Sequence, residues 1–213
     1  MYQHILRNHR QVFQMALQFE KKKKQSPGGV IIGLIGRAGS GKDTVANRLV
    51  AEHGFRAISI AAPLKDAASV LFDIDRHVMD DRQLKETIDL RYGLTPRHLL
   101  QHMGTEYIRS QFSEDFLIKR ALQGVSETDK VVITDVRFDN EAHGVMNTPI
   151  SNAQLWNISA DQRLRGETCL DEKAAQHVSE QPLSLDMYSV LEVDNNGTMD
   201  DLYRKVDAMV TTF

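Results

Sequence analysis

The sequence contains one cysteine, Cys169, in 213 residues. That excludes an intrachain disulfide and makes a reducing compartment the expected setting. It also lacks an apolar run approaching the roughly 18 residues that span a bilayer, so no membrane partner is expected. The first residues make a poor signal peptide, because their apolar positions alternate with Arg and His, and Lys21 to Lys24 follow them instead of preceding them. Cytoplasm is the expected location. No cluster of His and Cys has the spacing of a zinc site, and no internal repeat is present. Net charge is scarce as well: 26 Lys and Arg against 29 Asp and Glu give −3, which argues neither for nor against a polyanionic partner.

What is present is ordinary globular material, 41% hydrophobic and 26% charged, at a length that suits one domain with an insertion. Its charge is uneven. Arg7, Arg10 and Lys21 to Lys24 against Glu20 give residues 1–27 a formal +5, leaving −8 for the remainder. Ile5, Leu6, Val12, Phe13, Ala16, Leu17 and Phe19 recur at helical spacing, which predicts an amphipathic helix over 3–20. The lysines and the Ser26-Pro27-Gly28-Gly29 stretch then form a solvated linker. This 1–29 extension is either a simple appendage or a docking element.

From residue 30 onward the pattern is α/β. Val30 to Ile35 is an almost wholly apolar run, as expected of a strand buried on both faces. A glycine-rich loop follows, then a helix over Asp43 to His53 closed by Gly54, and a strand over Phe55 to Ile60, which together make a βαβ unit. Helices are predicted over Pro63 to Phe72, over 80–90, and from a Thr95 cap with Pro96 at the first position. That last helix is interrupted at Gly104, resumes through Tyr107, Ile108 and Phe112, and precedes another over Glu114 to Leu122. Val131 to Thr134, Gln154 to Ile158 and Ser189 to Val193 are the remaining strands. A short helix over 139–147 with Asp139 as cap, a turn at Asn195-Asn196-Gly197 and a closing helix over Met199 to Val210 complete the reading.

The strongest local signal is Gly36-Arg37-Ala38-Gly39-Ser40-Gly41-Lys42-Asp43-Thr44. A glycine, four residues and then glycine-lysine is the spacing of a P-loop, and the position between a buried strand and a helix is its expected context. Backbone N–H groups and the helix N-terminus would cradle a phosphate chain, with Lys42 as a mobile charge near the outer phosphates. The usual Ser or Thr after the lysine is replaced by Asp43, with Thr44 next. Either Thr44 supplies the magnesium ligand, or Asp43 takes part through water.

Asp135 stands at the carboxyl end of a predicted strand, where α/β sheets bind ligands, and occupies the place of a Walker B carboxylate. Arg137 could meet a phosphate with its planar fork. The plainer alternatives have Asp135 bonding a turn, Arg137 pairing with Glu141, and Glu141 complementing a helix dipole. Phosphoryl transfer depends on positioning and on charge neutralisation by magnesium and arginine. Arg97 and Arg109 are candidates for an acceptor phosphate and Gln101 for a base edge. Arg163 and Arg165, after the fourth strand, sit where a lid over ATP is expected.

These residues resemble a known family. The GRAGSGKDT loop, Ala61-Ala62-Pro63-Leu64-Lys65, Met103-Gly104-Thr105-Glu106 with Arg109, the DVRFDNE run from Asp135 and the HVSE run from His177 are similar to those of phage-type deoxynucleoside monophosphate kinases. Together they cover most of residues 30–180 and leave the N-terminal extension outside. The resemblance implies a three-layer P-loop kinase fold with a five-stranded parallel sheet, an acceptor-binding helical insertion at about 61–129 and a lid-like segment at about 160–186. It implies ATP as donor, Mg²⁺ as cofactor and a deoxynucleoside monophosphate as acceptor. Gly36 through Thr44 would hold the donor, and Asp43, Thr44 and Asp135 the metal. Lys65, Arg97, Gln101, Thr105, Glu106, Arg109, Arg137 and Glu141 would bind the acceptor, and Lys42, Asp135, Arg137, Arg163 and Arg165 would act in transfer. Small nucleotides are the expected partners, nucleic acid is not, and a homodimer stays open. The alternatives are a P-loop kinase for a dephospho-coenzyme A or phosphomevalonate type of acceptor, or a nucleotide-binding, DNA-associated regulator using the basic extension.

Overall fold

The computed structural model describes residues 28–164, 177, 179, 183, 184 and 187–212. The predicted helix over 3–20, its lysine linker, Arg165 and most of the lid-like segment lie outside them.

β1 (Val30–Ile35) is buried at every position and splits its side chains between two cores. Val30, Ile32 and Leu34 pack with Val45, Leu49, Leu202 and Val206 on one face. Ile31 and Ile35 pack with Leu117, Ile118, Ala142 and Val145 on the other. The alternation follows from the two-residue period of a strand. Each fully buried aliphatic side chain contributes about 1.5–3 kcal/mol, so the two clusters bind helices to both faces of the sheet. The first face carries α1 (Lys42–His53) and the C-terminal helix Met199–Val210, and the second carries Phe116–Ala121 and Asp139–Met146.

In chain order, α1 is followed by β2 (Arg56–Ile58), α2 (Ala62–Phe72) and α3 (Arg76–Asp80). Next come α4 (Pro96–Gln101), α5 (Phe116–Ala121), β3 (Lys130–Ile133), α6 (Asp139–Met146), β4 (Asn152–Ser159), β5 (Val190–Asp194) and α7 (Met199–Val210). All sheet pairings are parallel, in the order β2-β3-β1-β4-β5. The chain leaves β1 toward β2 on one side and leaves β3 toward β4 on the other. A crevice therefore opens beyond the carboxyl ends of β1 and β3, the topological switch point where such sheets bind ligands. The expected α/β fold with five parallel strands is the one observed.

The helices depart from the expectation in three places. A single helix over 80–90 is replaced by α3 and a 3-10 turn at Leu84–Glu86. Asp75 caps α3 by accepting from the His77 N–H at 3.0 Å, and Asp81 ends it in an extended conformation. The Asp81 carboxylate then takes the N–H groups of Gln83 and Leu84, both at 2.8 Å, so local polar side chains outcompete helix propagation. Gly104 does not interrupt its helix. α4 continues through it as a wider, π-type winding over His102–Arg109, and Gly104 is buried beneath Leu64. Thr95 does cap α4, accepting from the His98 N–H at 3.2 Å. Asp139 is not the cap of α6: Phe138 holds that position and has no oxygen to offer, so Glu141 reaches back to the N–H groups of Arg137 and Phe138 at 2.7 and 3.2 Å. β1 has its expected limits, and the other strands begin or end one or two residues from theirs, β2 being the most shortened.

Candidate active site

The loop from Gly36 to Gly41 turns out of β1 and into α1. Gly36 has φ 137°, and a Cβ there would meet the Ile158 carbonyl oxygen at 2.4 Å, so the loop can pass this close to β4 only as glycine. Gly41 precedes α1 without any side-chain cap, which leaves the first-turn N–H groups of a 12-residue helix open toward an anion. The Lys42 ammonium lies over the loop, donating to the carbonyl oxygens of Gly36 at 2.6 Å and Arg37 at 2.9 Å. Arg37 is exposed, and Ala38 is half-buried beside it.

The outer wall of this cradle comes from the ends of β4 and β5. Arg163 donates to the Gly39 and Ser40 carbonyl oxygens at 3.1 and 3.4 Å. Asn195, buried, donates to the Ser40 carbonyl at 2.7 Å, and its own N–H is held by the Ser159 carbonyl at 2.7 Å. A cleft of about 330 Å³ opens between these groups and Lys42, Asp43 and Thr44. The sequence marks Asn195 only as a turn residue. Nothing in a bare Asn-Asn-Gly run reveals that it reaches another strand's loop.

Asp135 stands across the crevice at the end of β3, and its carboxylate is heavily committed. One oxygen accepts from the Ile60 N–H at 2.7 Å, the other from the Ser59 hydroxyl at 2.8 Å and the Ala61 N–H at 3.1 Å. It therefore pins the chain between β2 and α2, which is the turn-bonding alternative noted above. Roughly one of its four acceptor positions remains.

Beyond Asp135 the site becomes a side-chain assembly. Glu141 is 2% exposed and pairs with Arg109, itself 8% exposed. Arg109 also donates to the Glu114 carbonyl at 2.7 Å, and its guanidinium lies 3.9 Å from the centre of the Phe138 ring. Burial pushes the Glu141 carboxyl above its ordinary value, against the pull of Arg109 and the Arg137 N–H. The alternative of an Arg137–Glu141 pair is met only by a backbone contact, and Arg137 sends its side chain to the Ser179 carbonyl at 3.3 Å. Arg109 and Glu141 are consequently a buried structural pair behind the site.

Lys85 lies within electrostatic reach of three other cations, each from a different part of the chain. Lys85, in the 3-10 turn, is pushed below its ordinary value by burial and by the positive charges of Arg97, Lys65 and Arg137. Lys65 on α2 donates to Asp80 at 2.8 Å. Arg97 is buried on α4 and donates to Glu86 at 2.5 Å, while the second Glu86 carboxylate oxygen is buried and has no hydrogen-bond partner. Gln101, one helical turn beyond Arg97 on the same face, has a buried side-chain nitrogen that likewise has none. Thr105 is half-buried in the π-type turn, and Glu106 is exposed and bonded to His102 at 2.5 Å. Lys85 was missed by sequence reasoning because a lysine in a polar run carries no signal of its burial. Arg165 lies outside the described residues.

A strand-bounded phosphate loop, an open helix N-terminus and converging cations at a switch point define a P-loop phosphotransferase, a kinase. No family model matches the chain. A protein of Acanthamoeba polyphaga mimivirus that carries the name deoxynucleotide monophosphate kinase is 34% identical over 197 residues, covering 85% of this chain and 96% of its own. The chain belongs to the deoxynucleotide monophosphate kinase family. The crystal structure of the Thermus thermophilus protein TT1252 shares the fold at TM-score 0.50 and 17% identity, over 87% of this chain and 98% of its own. A gluconokinase of Sinorhizobium meliloti superposes more loosely, at TM-score 0.45 and 13% identity, over 86% of this chain and 92% of its own.

The family implies magnesium. Among the described residues no group of three or more His, Cys, Asp or Glu could hold a metal. The Ser40 hydroxyl suits such an ion or its phosphate, since it is buried inside the loop and has no hydrogen-bond partner. No described helix is long and apolar enough to cross a membrane.

Proposed function

We propose that this chain transfers the γ-phosphoryl group of ATP to a deoxynucleoside monophosphate, giving the diphosphate and ADP. The observation that carries this reading is the grouping of Lys85 with Lys65, Arg97 and Arg137, close enough for their charges to hold its ammonium below the ordinary lysine value. Even with Asp80 paired to Lys65 and Glu86 to Arg97, the group keeps an excess of positive charge that a dianionic phosphate would offset. Gln101 and Thr105, farther along the α4 face, suit the polar edge of a base.

In this reading the loop amides, Lys42 and the α1 N-terminus hold the donor phosphates. Magnesium, when bound, neutralises phosphate charge, with Ser40, Asp43 and Thr44 as the nearby ligands and Asp135 contributing through water. Arg97, Arg137 and Lys85 hold the acceptor phosphate. One of its oxygens attacks the γ-phosphorus, the bond to the β–γ bridging oxygen breaks, and the electron pair leaves on ADP. The acceptor phosphate is already ionised at neutral pH, so no general base is needed. Arg163 offsets charge on the donor side.

The test is coupled ADP production from Mg-ATP with dTMP, dGMP, dCMP, dAMP and dUMP and their ribose counterparts, run beside Lys42→Ala. The expected outcome is turnover with at least one deoxynucleotide, reduced about a thousandfold in the variant. Turnover confined to some other phosphorylated acceptor, or full activity in Lys42→Ala, would sink the reading.

A further inference from the structure

Arg82 plays no part in the reading above, yet its guanidinium rests on the phosphate loop. Its guanidinium carbon and both terminal nitrogens lie 3.0 Å from where a Cβ on Gly39 would stand. Gly39 adopts φ 81°, so the residue there must be small both for its backbone and for this neighbour. Arg163 donates to the carbonyl oxygen of the same residue at 3.1 Å. Two guanidinium groups, one from before β3 and one from after β4, therefore meet at a single residue of the loop.

The placement of Arg82 is fixed from both sides. Asp81 before it accepts from Gln83 and Leu84 after it, both at 2.8 Å, and the Asp81 N–H is tied to the His77 carbonyl at 2.9 Å. The backbone that carries Arg82 is thus held in a tight turn while its side chain extends, exposed, to the loop. Three residues on, the same turn carries Lys85, which belongs to the cation group across the crevice. One short segment accordingly reaches both the donor loop and the acceptor side.

We infer that Arg82 is a catalytic arginine, supplied in cis by the turn after α3, whose guanidinium neutralises the transferring γ-phosphoryl group as it passes between the two nucleotides. The inference rests on the kinase reading of this site. In the transfer step a bond forms between the acceptor oxygen and the γ-phosphorus, and the bond to the bridging oxygen breaks with its electrons going to ADP. Arg82 gives up no proton and contributes charge and two directed donors, the usual role of an arginine in phosphoryl transfer. Because its charge counts most when the phosphoryl group is in flight, it acts on turnover more than on ground-state ATP binding.

The experiment compares wild type, Arg82→Lys and Arg82→Ala, with melting temperature as the folding control. Arg82→Ala is expected to lower kcat about a thousandfold with little change in KM for ATP, and Arg82→Lys to recover only a small part. Added guanidinium ion should restore measurable turnover to Arg82→Ala. Calorimetric affinity for Mg-ADP should be unchanged, whereas affinity for Mg-ADP with aluminium fluoride, a mimic of the phosphoryl group in flight, should fall in both variants. Wild-type kcat in Arg82→Ala, or equal losses for ADP and for its aluminium fluoride complex, would overturn the assignment. The aluminium fluoride arm needs no acceptor. If wild type turned over no deoxynucleotide, the acceptor reading would fail while Arg82 was still judged by this arm.

Discussion

The two sides of the crevice are built from different materials. The donor side is mostly backbone, with glycines that let the loop pass close to β4, an uncapped helix N-terminus, and Arg163 and Asn195 bonded to loop carbonyls. The side that we propose binds the acceptor is mostly side chain, with cations from α2, the 3-10 turn, α4 and the segment after β3, and with the buried Arg109–Glu141 pair. A backbone cradle depends on a short contiguous stretch and tolerates little change within it. A side-chain assembly depends on packing across more than 70 positions of the chain, from Lys65 to Arg137. Substitutions on the two sides should therefore fail in different ways.

The largest effect expected on the acceptor side is structural. Glu141→Ala would leave Arg109 buried without its carboxylate and release the N–H groups of Arg137 and Phe138. Removing one partner of such a pair costs about 3–5 kcal/mol. Chemical denaturation should show that loss. Glu141→Gln should recover part of it, because an amide oxygen can still accept from the two N–H groups. A loss below about 1 kcal/mol in Glu141→Ala would mean that the acceptor side does not depend on this buried pair.

This contrast also explains what could be read from the sequence. The P-loop was legible because its chemistry lies in nine consecutive residues, and β1 because an apolar run between polar segments has one burial solution. Asp135 was legible as a strand-end acid, but its bonds to Ser59, Ile60 and Ala61 join residues over 70 positions apart. Lys85, Arg82 and Asn195 were illegible for the same reason, since each gains its meaning from a contact that no local spacing encodes. Gly104 misled as a helix breaker because its small size serves packing against Leu64. The 80–90 stretch misled because its composition suits a helix while Asp81 captures the N–H groups that a helix would use.

A smaller effect isolates the acceptor side without unfolding it. Lys85→Met retains the stem and removes the charge, so KM for the acceptor should rise about tenfold, the worth of one well-placed phosphate contact, about 1.4 kcal/mol. KM for ATP should stay close to that of wild type. In wild type the Lys85 ammonium loses its proton below the ordinary lysine value, so acceptor KM should climb as alkaline pH passes through that lowered value. The climb should be absent in Lys85→Met. An equal rise in both KM values would erase the distinction between the two sides.

The smallest effect tests whether the donor side depends on side chains remote from its loop. Behind the phosphate loop, α1 is tied to α7 by Asp207, which accepts from Arg48 at 3.0 and 2.7 Å and bonds His53 at 2.8 Å. Hydrogen bonds from Arg48 first, and then from His53, lower the Asp207 carboxyl from 3.8 to about 2. A carboxyl with a depressed folded value stabilises the fold fully above its unfolded value and loses that contribution as pH falls through the folded one. Wild type should accordingly lose stability between about pH 4 and pH 2 through this group, and Asp207→Asn should show a flatter acid limb in melting temperature over that window. The difference should be modest, because Asp207 is about one-third exposed and water screens the pair. ATP affinity at neutral pH should be nearly the same in both proteins, since the loop that holds the phosphates is set by backbone and not by this tie. A large loss of ATP affinity in Asp207→Asn would show that the cradle also leans on distant side chains.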